Sequence, residues 1–467
     1  MSRRVDVAII GAGTAGLNAF KQVAPHKPET VLIHDGPYGT TCARVGCMPS
    51  KVLIEVAREF ERRRHYSQFG ITGAEALGID PAQVMRYVRE KRDFFVSRVM
   101  QGIDKIGARN LQGQARFVAP DTLEVNGERI QADKIIIATG SRPVLPDAWR
   151  ALGERVITTE QFFELPTLPT RMAVIGLGAI GSELGQAMAR LGVKVTGIEQ
   201  TQQLAGLTDP VVNKAAIEAL GADMDLWLGV TAALEPAAQG VLVNGSDGRQ
   251  VQVDAVLASL GRRPNIDHLN LQEALGLEDL SAQWQSLLDT RTQRLGDWPI
   301  YVAGDAAAYR PILHEAADEG TVAGYNAARD HDTAFARRPA LAIAFTDPQI
   351  AQVGVPFNQL DEADIVIGER GFVMQGRSIV MARQQGVLRV YAARADGRLL
   401  GAQLCMPDGE YIAHYLALAI SQGLTARELL NQAPQYHPTL IEGLFDALSA
   451  CVQHIEGAAQ APFLPRY

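Results

Sequence analysis

The segment Val5-Asp6-Val7-Ala8-Ile9-Ile10-Gly11-Ala12-Gly13-Thr14-Ala15-Gly16 decides the fold class. Its apolar first half predicts a buried strand, and its glycines have the Gly-x-Gly-x-x-Gly spacing of a turn into a helix. One glycine permits the tight turn, one lets the backbone approach a pyrophosphate, and one lets the helix pack on the strand. Leu17 to Val23 is compatible with that helix. A second strand, Thr30 to His34, ends at Asp35, whose carboxylate can bond a ribose hydroxyl. The order of these parts predicts a dinucleotide-binding βαβ unit.

The same pattern recurs downstream. Met172 to Ile175 leads into Gly176-Leu177-Gly178-Ala179-Ile180-Gly181, and a strand from Val193 to Ile198 ends at Glu199. A single glycine motif is weak evidence, but the full context of strand, glycines, helix and acid occurs here twice. Two such units predict two dinucleotides, and the natural pair is a flavin and a nicotinamide.

The acid of the second unit indicates which nicotinamide is bound. A carboxylate at Glu199 accepts from a ribose 2′-hydroxyl but repels a 2′-phosphate. No Lys or Arg lies between Val195 and Asn213 to receive such a phosphate. The sequence therefore favours NAD(H) over NADP(H).

Length and composition exclude several classes of protein. The 467 residues are enough for about three domains. The formal net charge of -8 argues against a nucleic-acid-binding surface, and no apolar run is long enough for a membrane helix. Glycines interrupt the basic and apolar N-terminus, which therefore does not resemble a signal peptide. Four cysteines are too few for a disulfide scaffold, and Cys405 and Cys451 are interpreted as core thiols. We expect a cytoplasmic protein.

The most informative segment for chemistry is Thr41-Cys42-Ala43-Arg44-Val45-Gly46-Cys47-Met48-Pro49-Ser50-Lys51. In a regular helix, residues five apart are too distant for a disulfide, which requires Cα atoms within about 7 Å. A bridge between Cys42 and Cys47 thus needs an irregular helix start. So small a loop contributes little stability. We interpret the two cysteines, hereafter the Cys pair, as redox-active beside a flavin, with two unpaired buried thiols as the alternative. No metal site is predicted, because no second Cys or His pair has ligand spacing.

A second group of reactive side chains lies near the end of the chain, in His437-Pro438-Thr439-Leu440-Ile441-Glu442. Disulfide exchange requires thiolates, and a His–carboxylate pair can move the proton that a thiol must lose. Thr439 and Glu442 also have the spacing of a helix capping box. Alone, the segment favours the cap. With the Cys pair elsewhere in the chain, an acid–base role is favoured, and Glu442 is able to serve both in part.

Together these motifs resemble the flavin-dependent pyridine nucleotide–disulfide oxidoreductase family, and within it the dihydrolipoamide dehydrogenases. The resemblance covers nearly the whole chain in order: first glycine motif, Cys-x4-Cys, Ala-Thr-Gly at 138–140, second glycine motif, Gly-Arg-x-Pro-Asn at 261–265, Gly-Asp at 304–305 and His-Pro-Thr-x-x-Glu at 437–442. It implies an enzyme that oxidises protein-bound dihydrolipoamide to lipoamide. Electrons would pass through the Cys42–Cys47 disulfide and FAD to NAD.

The resemblance also implies a role for each reactive residue. Cys47 corresponds to the thiol beside the flavin and Cys42 to the thiol that meets the substrate. His437 corresponds to an acid–base group that reaches the Cys pair of the partner subunit in a homodimer, held by Glu442. Lys51 and Glu183 correspond to an ion pair near flavin N5, against the alternative of a surface lysine and an ordinary helix glutamate.

Cofactor positions follow from the same resemblance. The residues implied to bind FAD are Gly11, Gly13, Gly16, Asp35, Thr41, Lys51, Gly113, Ala115, Thr139, Gly140, Gly304 and Asp305. The residues implied to bind NAD are Gly176, Gly178, Ile180, Gly181, Glu199 and Gly261.

The expected fold class is α/β, with two Rossmann-like nucleotide-binding domains, for FAD and NAD, and a C-terminal α+β dimerisation domain. The expected boundaries place the first part of the FAD domain at 1–146 and the NAD domain at 147–263. Residues 264–338 complete the FAD domain, and residues 339–467 form the dimerisation domain.

Three departures from the family pattern, among them a compact segment from Met406 to Glu410, leave the partner complex and the preferred disulfide open. Thr40 stands where relatives usually have glycine, and Pro311 to Ala316 is one residue shorter than the usual family segment. The implied partner is the lipoyl domain of a 2-oxo acid dehydrogenase or glycine-cleavage complex. A related NAD(P)H-dependent reductase of another disulfide, or a flavoprotein binding module, are the alternatives.

Overall fold

A computed structural model of the chain describes residues 2–457 and 462–464. It contains two compact units. Unit 1 consists of Met1–Pro49, Tyr87–Val144 and Gly261–Arg337, and unit 2 of Ser50–Arg86, Leu145–Leu260 and Arg338–Tyr467. Within the described ranges, no helix has both the length and the apolar character needed to cross a membrane.

The strands are β1 (Ser2–Ile10), β2 (Thr30–His34), β3 (Asn110–Gln112), β4 (Ala115–Ala119), β5 (Thr122–Val125), β6 (Glu128–Ile137), β7 (Ser141–Pro143), β8 (Val156–Ile157), β9 (Arg171–Ile175), β10 (Lys194–Glu199), β11 (Asp225–Leu228), β12 (Ala232–Pro236), β13 (Val241–Gly245), β14 (Gln250–Val253), β15 (Ala255–Ala258), β16 (Arg262–Pro264), β17 (Leu288–Asp289), β18 (Arg294–Leu295), β19 (Ile300–Val302), β20 (Leu341–Ala344), β21 (Gln349–Gly354), β22 (Ile365–Gly371), β23 (Val387–Ala393) and β24 (Leu399–Met406).

The α-helices are α1 (Thr14–Val23), α2 (Thr41–Val45), α3 (Cys47–Glu61), α4 (Pro81–Asp104), α5 (Asp147–Arg150), α6 (Thr159–Phe162), α7 (Ala179–Arg190), α8 (Pro210–Gly221), α9 (Leu271–Ala274), α10 (Leu280–Leu287), α11 (Leu313–Ala327), α12 (Gly376–Val380), α13 (Gly409–Ser421), α14 (Ala426–Gln432) and α15 (Glu442–Glu456).

Unit 1 is built on a nine-stranded sheet with the main order β17-β18-β19-β6-β1-β2-β3. The central strand β1 is parallel to both β2 and β6, and Ile10 lies level with Ile33 on one side and Ile137 on the other. Strand β19 is parallel to β6. Because these strands run in the same direction, the segments that follow them all leave the sheet at one edge.

Helices α1 and α11 pack closely on each other in unit 1. A Cβ atom added to Gly320 of α11 would lie 2.2 Å from the Ala15 carbonyl oxygen, and one added to Gly324 would lie 2.6 Å from the Ala19 carbonyl oxygen. Both distances are shorter than any normal van der Waals contact, so the two helices approach this closely only with glycine at these positions. The glycines are four residues apart and therefore share one helix face.

Unit 2 contains a five-stranded parallel sheet and two antiparallel sheets. The parallel sheet has the order β11-β10-β9-β15-β8, the second sheet comprises β12, β13 and β14, and the C-terminal sheet has the order β20-β21-β24-β23-β22. Leu416 of α13 and Leu448 of α15 are fully buried in the core of the C-terminal sheet. Cys405 and Cys451 are buried as expected, and burial raises the pKa of both thiols to about 12.

The structure confirms the expected α/β fold class: unit 1 has a mixed sheet with a parallel centre, and unit 2 has a parallel sheet and a C-terminal α+β layer. The strand predicted at Thr30 to His34 has those bounds. Helix α1 begins at Thr14, three residues before the predicted Leu17, because Gly13 is its extended N-cap residue. Strand β6 begins at Glu128, and its polar first half pairs with β5.

Asp209 joins two elements of unit 2 and is fully buried. Its carboxylate caps α8 by accepting from the Val211 amide at 2.9 Å, and it also accepts from the Arg389 guanidinium and the Tyr391 hydroxyl, each at 2.8 Å. A buried carboxylate is stable only when its lone pairs are filled in this way. The N-terminus of α8 is thereby tied to strand β23.

Asp209→Asn should therefore destabilise the protein by about 3 kcal/mol, because it removes one charge from a buried pair and leaves the Arg389 charge poorly compensated. The measurement is the apparent melting temperature at a fixed scan rate. The matched control is Glu369→Gln, which removes a half-exposed carboxylate 3.2 Å from the same Arg389 and should cost less than about 1 kcal/mol. Equal effects of the two variants would contradict this interpretation.

Candidate active site

Most residues predicted to bind FAD lie just beyond strand ends in unit 1. Gly11 follows β1, Asp35 follows β2, Thr139 and Gly140 follow β6, and Gly304 and Asp305 follow β19; Gly113 and Ala115 flank the β3–β4 connection, and Thr41 opens α2. The carboxyl edge of a parallel sheet is where nucleotide ligands bind in α/β folds. Unit 1 thus gathers these segments, which are distant in sequence, at one edge.

The first glycine motif has the shape that a pyrophosphate needs. A Cβ atom on Gly11, where φ is +112°, would lie 2.2 Å from the Ala138 carbonyl oxygen, and one on Gly16 would lie 1.9 Å from the Gly11 carbonyl oxygen. A Cβ on Gly13 would meet no atom within 4 Å. Gly13 is also the N-cap of α1 and supplies no side-chain cap. The open space at this helix N-terminus fits an anionic group.

The second glycine motif repeats this geometry in unit 2. A Cβ on Gly176 would lie 2.4 Å from the Ser259 carbonyl oxygen and one on Gly181 would lie 1.9 Å from the Gly176 carbonyl oxygen, whereas Gly178 faces open space. Ile180 is 40% exposed beside the motif. The sixth residue predicted for NAD, Gly261, begins a segment of unit 1 and has φ of +90°.

Glu199 lies at the end of β10 and organises the turn around it. One carboxylate oxygen accepts from the Leu177 amide at 2.8 Å, and the other accepts from the amide and hydroxyl of Thr201 at 3.1 and 3.2 Å. The carboxylate is therefore fixed beside the glycine motif, as a ribose-binding acid must be.

A cavity of about 470 Å³ lies at the carboxyl edge of unit 1 and is lined by Asp35, Gln114, Arg142, Asn265, Asp267 and His268. Arg142 donates to Asn265 at 2.8 Å and also pairs with Asp267. Its hydrogen bonds lower the pKa of the Asp267 carboxyl. The polar lining fits the adenosine half of FAD.

Several side chains that sequence reasoning missed hold the Gly304–Asp305 turn. The Ser141 hydroxyl donates to Asp305 at 2.5 Å, and Arg262 in turn donates to that hydroxyl at 2.8 Å. Glu319 of α11 accepts from the Gly304 amide at 2.7 Å. The family motifs include Arg262, whereas nothing in the sequence spacing singles out Ser141 or Glu319.

The Cys pair lies at a break between two helices. Helix α2 ends at Val45, Gly46 has φ of −130° and ψ of −119°, and α3 begins at Cys47. A Cβ on Gly46 would lie 3.0 Å from the Thr41 carbonyl oxygen and 3.3 Å from the Cys42 Cα, so glycine lets the chain fold back on itself. The break supplies the irregular helix start that a bridge between Cys42 and Cys47 needs.

The side chains of the two cysteines are hydrogen-bonded to each other. Cys42 is half-buried and Cys47 is exposed, which does not match the alternative of two buried thiols. The hydrogen bond with Cys47, together with burial, raises the pKa of the Cys42 thiol. In such a coupled pair the second proton is much harder to remove than the first. Nowhere in the described residues do three or more His, Cys, Asp or Glu side chains group to hold a metal ion.

Lys51 and Glu183 form an ion pair in unit 2. The Lys51 ammonium lies 2.7 Å from one Glu183 oxygen and 4.6 Å from the centre of the Phe345 ring. The other Glu183 oxygen accepts from the Phe345 amide at 2.8 Å, and the Glu183 side chain is only 6% exposed. The alternative of an unrelated surface lysine and helix glutamate therefore does not hold.

His437 and Glu442 also meet, and Glu442 makes two contacts. One of its oxygens lies 2.8 Å from His437 Nδ1, and the other accepts from the Thr439 amide at 2.8 Å. These hydrogen bonds lower the pKa of Glu442. The Thr439 hydroxyl donates to the Tyr436 carbonyl instead of capping the helix. Half of a capping box and the His–carboxylate pair thus coexist. The His437 side chain is 78% exposed.

Thr40 caps the helix that carries Cys42. Its hydroxyl accepts from the Ala43 amide at 3.2 Å, and its backbone has φ of +61° and ψ of +150°, a region that favours glycine. The hydroxyl thus offsets part of the conformational cost of a β-branched residue here. Glycine at this position would avoid the strain but supply no cap.

Thr40→Ala should weaken the start of α2 by about 1 kcal/mol, the usual value of an N-cap, while keeping the strained backbone. We expect faster alkylation of Cys42 in the reduced protein, followed by mass spectrometry of the labelled peptide. Thr40→Ser, which keeps the hydroxyl, should react like the wild type. If the serine variant reacted as fast as the alanine variant, the capping role would be wrong.

Comparisons with known proteins show the family of the chain. The family model described as pyridine nucleotide-disulphide oxidoreductase matches residues 5–327, and the model of that family's dimerisation domain matches residues 341–448. The dihydrolipoyl dehydrogenase of Haloferax volcanii is 32% identical over 95% of each chain. That of Pseudomonas aeruginosa is 31% identical over 97% of this chain and 98% of its own.

Solved structures share the fold. LpdA from Mycobacterium tuberculosis matches with a TM-score of 0.82 and 25% identity, covering 96% of this chain and 99% of that one. The HOCl-induced flavoprotein disulfide reductase RclA from Escherichia coli matches with a TM-score of 0.81 at 23% identity, over the same shares of the two chains. With both family models matched in order and the reactive side chains in place, the chain belongs to the pyridine nucleotide-disulphide oxidoreductase family, whose members use FAD and a nicotinamide dinucleotide.

Proposed function

We propose that this chain is an NAD-dependent dihydrolipoamide dehydrogenase that oxidises protein-bound dihydrolipoamide to lipoamide. The observation that carries the proposal is the hydrogen-bonded Cys pair at the helix break, because it supplies a dithiol able to close and open as a disulfide. Full-length similarity to dihydrolipoyl dehydrogenases supports the choice of substrate. We also propose the domain boundaries given in the sequence analysis and a cytoplasmic location.

The proposed exchange uses the Cys42–Cys47 disulfide of the oxidised enzyme. A substrate thiolate attacks the Cys42 sulfur, so that the disulfide breaks and Cys47 leaves as a thiolate. The second substrate thiol loses its proton and attacks the substrate sulfur bound to Cys42. This closes the lipoamide disulfide and releases Cys42. Two electrons have then moved from the substrate to the Cys pair. FAD, when bound, would supply the redox chemistry that links this dithiol to NAD.

His437 is proposed to handle the two protons. With Nδ1–H donating to Glu442, the neutral ring presents Nε2 as its acceptor, and the Glu442 carboxylate stabilises the charged ring after proton uptake. The raised pKa of Cys42 means that this thiol leaves the exchange protonated at neutral pH. An acid–base group is therefore needed at Cys42 in both directions of the reaction.

Residues that hold the cofactors are proposed on the same grounds. The Gly11, Gly13 and Gly16 turn would hold the FAD pyrophosphate, with Asp35 at the ribose and Asp305 further along the cofactor. The Lys51–Glu183 pair is proposed to lie near the flavin ring. In unit 2 the corresponding turn would hold NAD, because Glu199 presents a fixed carboxylate to the ribose.

A panel of substrates tests the proposal. Steady-state turnover should be highest with dihydrolipoamide and NAD, and kcat/KM with NADP should be at least about tenfold lower, since Glu199 repels the 2′-phosphate. The measurement pairs lipoamide, glutathione disulfide and related disulfides with each nicotinamide. Faster turnover of another disulfide would mean that the chain is a reductase of that disulfide. Absence of turnover with every pair would indicate a binding module. Glu199→Gln serves as the control for nicotinamide choice.

The match to a dimerisation domain supports a homodimer, and we propose that each active site combines the Cys pair of one subunit with His437 of the other. The lipoyl domain of a 2-oxo acid dehydrogenase or glycine-cleavage complex is the proposed partner. Symmetric pairing gives two equivalent sites in each dimer.

Co-expression of Cys42→Ser and His437→Gln tests this arrangement. Each homodimer should be inactive, whereas the purified heterodimer has one site with both lesions and one with neither. It should recover about half of the wild-type activity by site counting under this symmetry. If the groups met within one chain, every site would carry one lesion and the heterodimer would stay inactive. In the control heterodimer, Cys451→Ser, which changes a buried core thiol, takes the place of Cys42→Ser.

A further inference from the structure

The two glycine turns differ at one equivalent position. In unit 2, Ile175 lies level with Ile198, and the next residue, Glu199, accepts from the Leu177 amide at 2.8 Å. In unit 1, Ile10 lies level with Ile33, and the next residue is His34. The His34 Nδ1 accepts from the Ala12 amide at 3.3 Å.

His34 therefore occupies the position that Glu199 holds in unit 2. Ala12 and Leu177 each follow the first glycine of their motif, so the two amide contacts are the same contact made by different acceptors. Asp35, the residue proposed for the ribose, lies one position further along the chain. Neighbouring side chains in a strand point in opposite directions, so the side chains of His34 and Asp35 cannot contact the same group.

A neutral imidazole has a single acceptor, whereas a carboxylate has about four acceptor sites. Glu199 uses one oxygen for the Leu177 amide and the other for Thr201. In His34, Nδ1 is used by the Ala12 amide, and Nε2 lies 3.4 Å from the Pro37 carbonyl, to which it donates in the matching tautomer. The ring has no acceptor left for a ribose hydroxyl. Asp35 lines the cavity at this edge and carries two carboxylate oxygens.

We propose a division of roles in the FAD unit, where two residues make the contacts that a single carboxylate makes in the other unit. Neutral His34 holds the glycine turn through the Ala12 amide, and Asp35 accepts from the ribose hydroxyls of FAD. His34 is a positioning residue in this scheme and Asp35 a cofactor-binding residue. The proposal rests on FAD binding and is independent of which disulfide the enzyme uses.

The division makes FAD binding sensitive to acid. A protonated His34 would carry a hydrogen on Nδ1 that faces the hydrogen of the Ala12 amide, and the turn would lose its contact. The groups facing the ring are Asp35, Arg44 and the Tyr38 ring, whose centre is 4.8 Å away. Burial lowers the pKa of His34 from its usual 6.5, although Asp35 and the Pro37 carbonyl act in the opposite direction. The ring is therefore neutral at pH 7, and FAD affinity should fall only as the pH drops below about 6.5.

The experiment measures the Kd of FAD for the full-length apoprotein by flavin fluorescence, from pH 7.5 down to pH 5.5, with circular dichroism to verify folding. At pH 7.5, Asp35→Asn should raise the Kd at least about tenfold, as expected for loss of a charged acceptor. His34→Gln, whose amide oxygen accepts at any of these pH values, should bind like the wild type at pH 7.5 but lose the acid-dependent rise in Kd.

Two double variants separate the roles. His34→Glu combined with Asp35→Asn should bind FAD within about threefold of the wild type, because a carboxylate at position 34 can do both tasks, as Glu199 does. His34→Gln with Asp35→Asn should stay as weak as Asp35→Asn alone. Unchanged binding by Asp35→Asn, or equal behaviour of the two double variants, overturns the division. Tighter FAD binding by the wild type at pH 5.5 also overturns it, because the ring would then act as a cation toward the phosphates. None of these measurements uses a substrate, so they do not bear on the proposed reaction.

Discussion

Parallel strand pairing constrains the whole active region. Strands β1, β2, β6 and β19 run in one direction, so the segments after them are brought to one edge of the unit 1 sheet although they are separated by up to about three hundred residues. The same constraint operates in unit 2, where the glycine motif follows β9 and Glu199 ends β10. The residues proposed to bind the cofactors need no proximity in sequence, because the strand direction brings them together.

Local changes in the backbone position the reactive side chains. The Cys pair depends on a helix that stops at Val45 and restarts at Cys47, and Gly46 makes this possible by leaving space beside the Thr41 carbonyl. A continuous helix would hold the two sulfur atoms on different faces. At the other end of the chain, Glu442 uses one oxygen for a backbone amide and the other for His437. One carboxylate thereby fixes both the turn and the ring.

Periodicity and motif spacing predicted much of this structure. The Gly-x-Gly-x-x-Gly turns, the strand at Thr30 to His34 and the partners Lys51 and Glu183 were all accessible from the sequence, since motifs preserve local geometry or a family pattern. Ser141 and Glu319 were not, because each acts through a contact with a residue more than ten positions away that has no spacing rule. The role of His34 required two turns to be compared in register. The polar first half of β6 pairs with the antiparallel strand β5, a partner that sequence periodicity does not identify.

Helix α11 has a mechanical consequence for the protein. On one turn it carries Glu319, which holds the Gly304 amide, and Gly320, which lies against the Ala15 carbonyl at the start of α1. Gly304 also lies beside Ala15, since a Cβ atom on Gly304 would be 3.0 Å from the Ala15 Cβ. The start of α1, the Gly304 turn and α11 therefore meet at one point. A side chain at residue 320 would force α11 away from α1, and the Gly304 turn, which is bonded to Glu319, would move with α11. The spacing between the first glycine motif and the Gly304 turn is thus set by a helix that need not touch the cofactor.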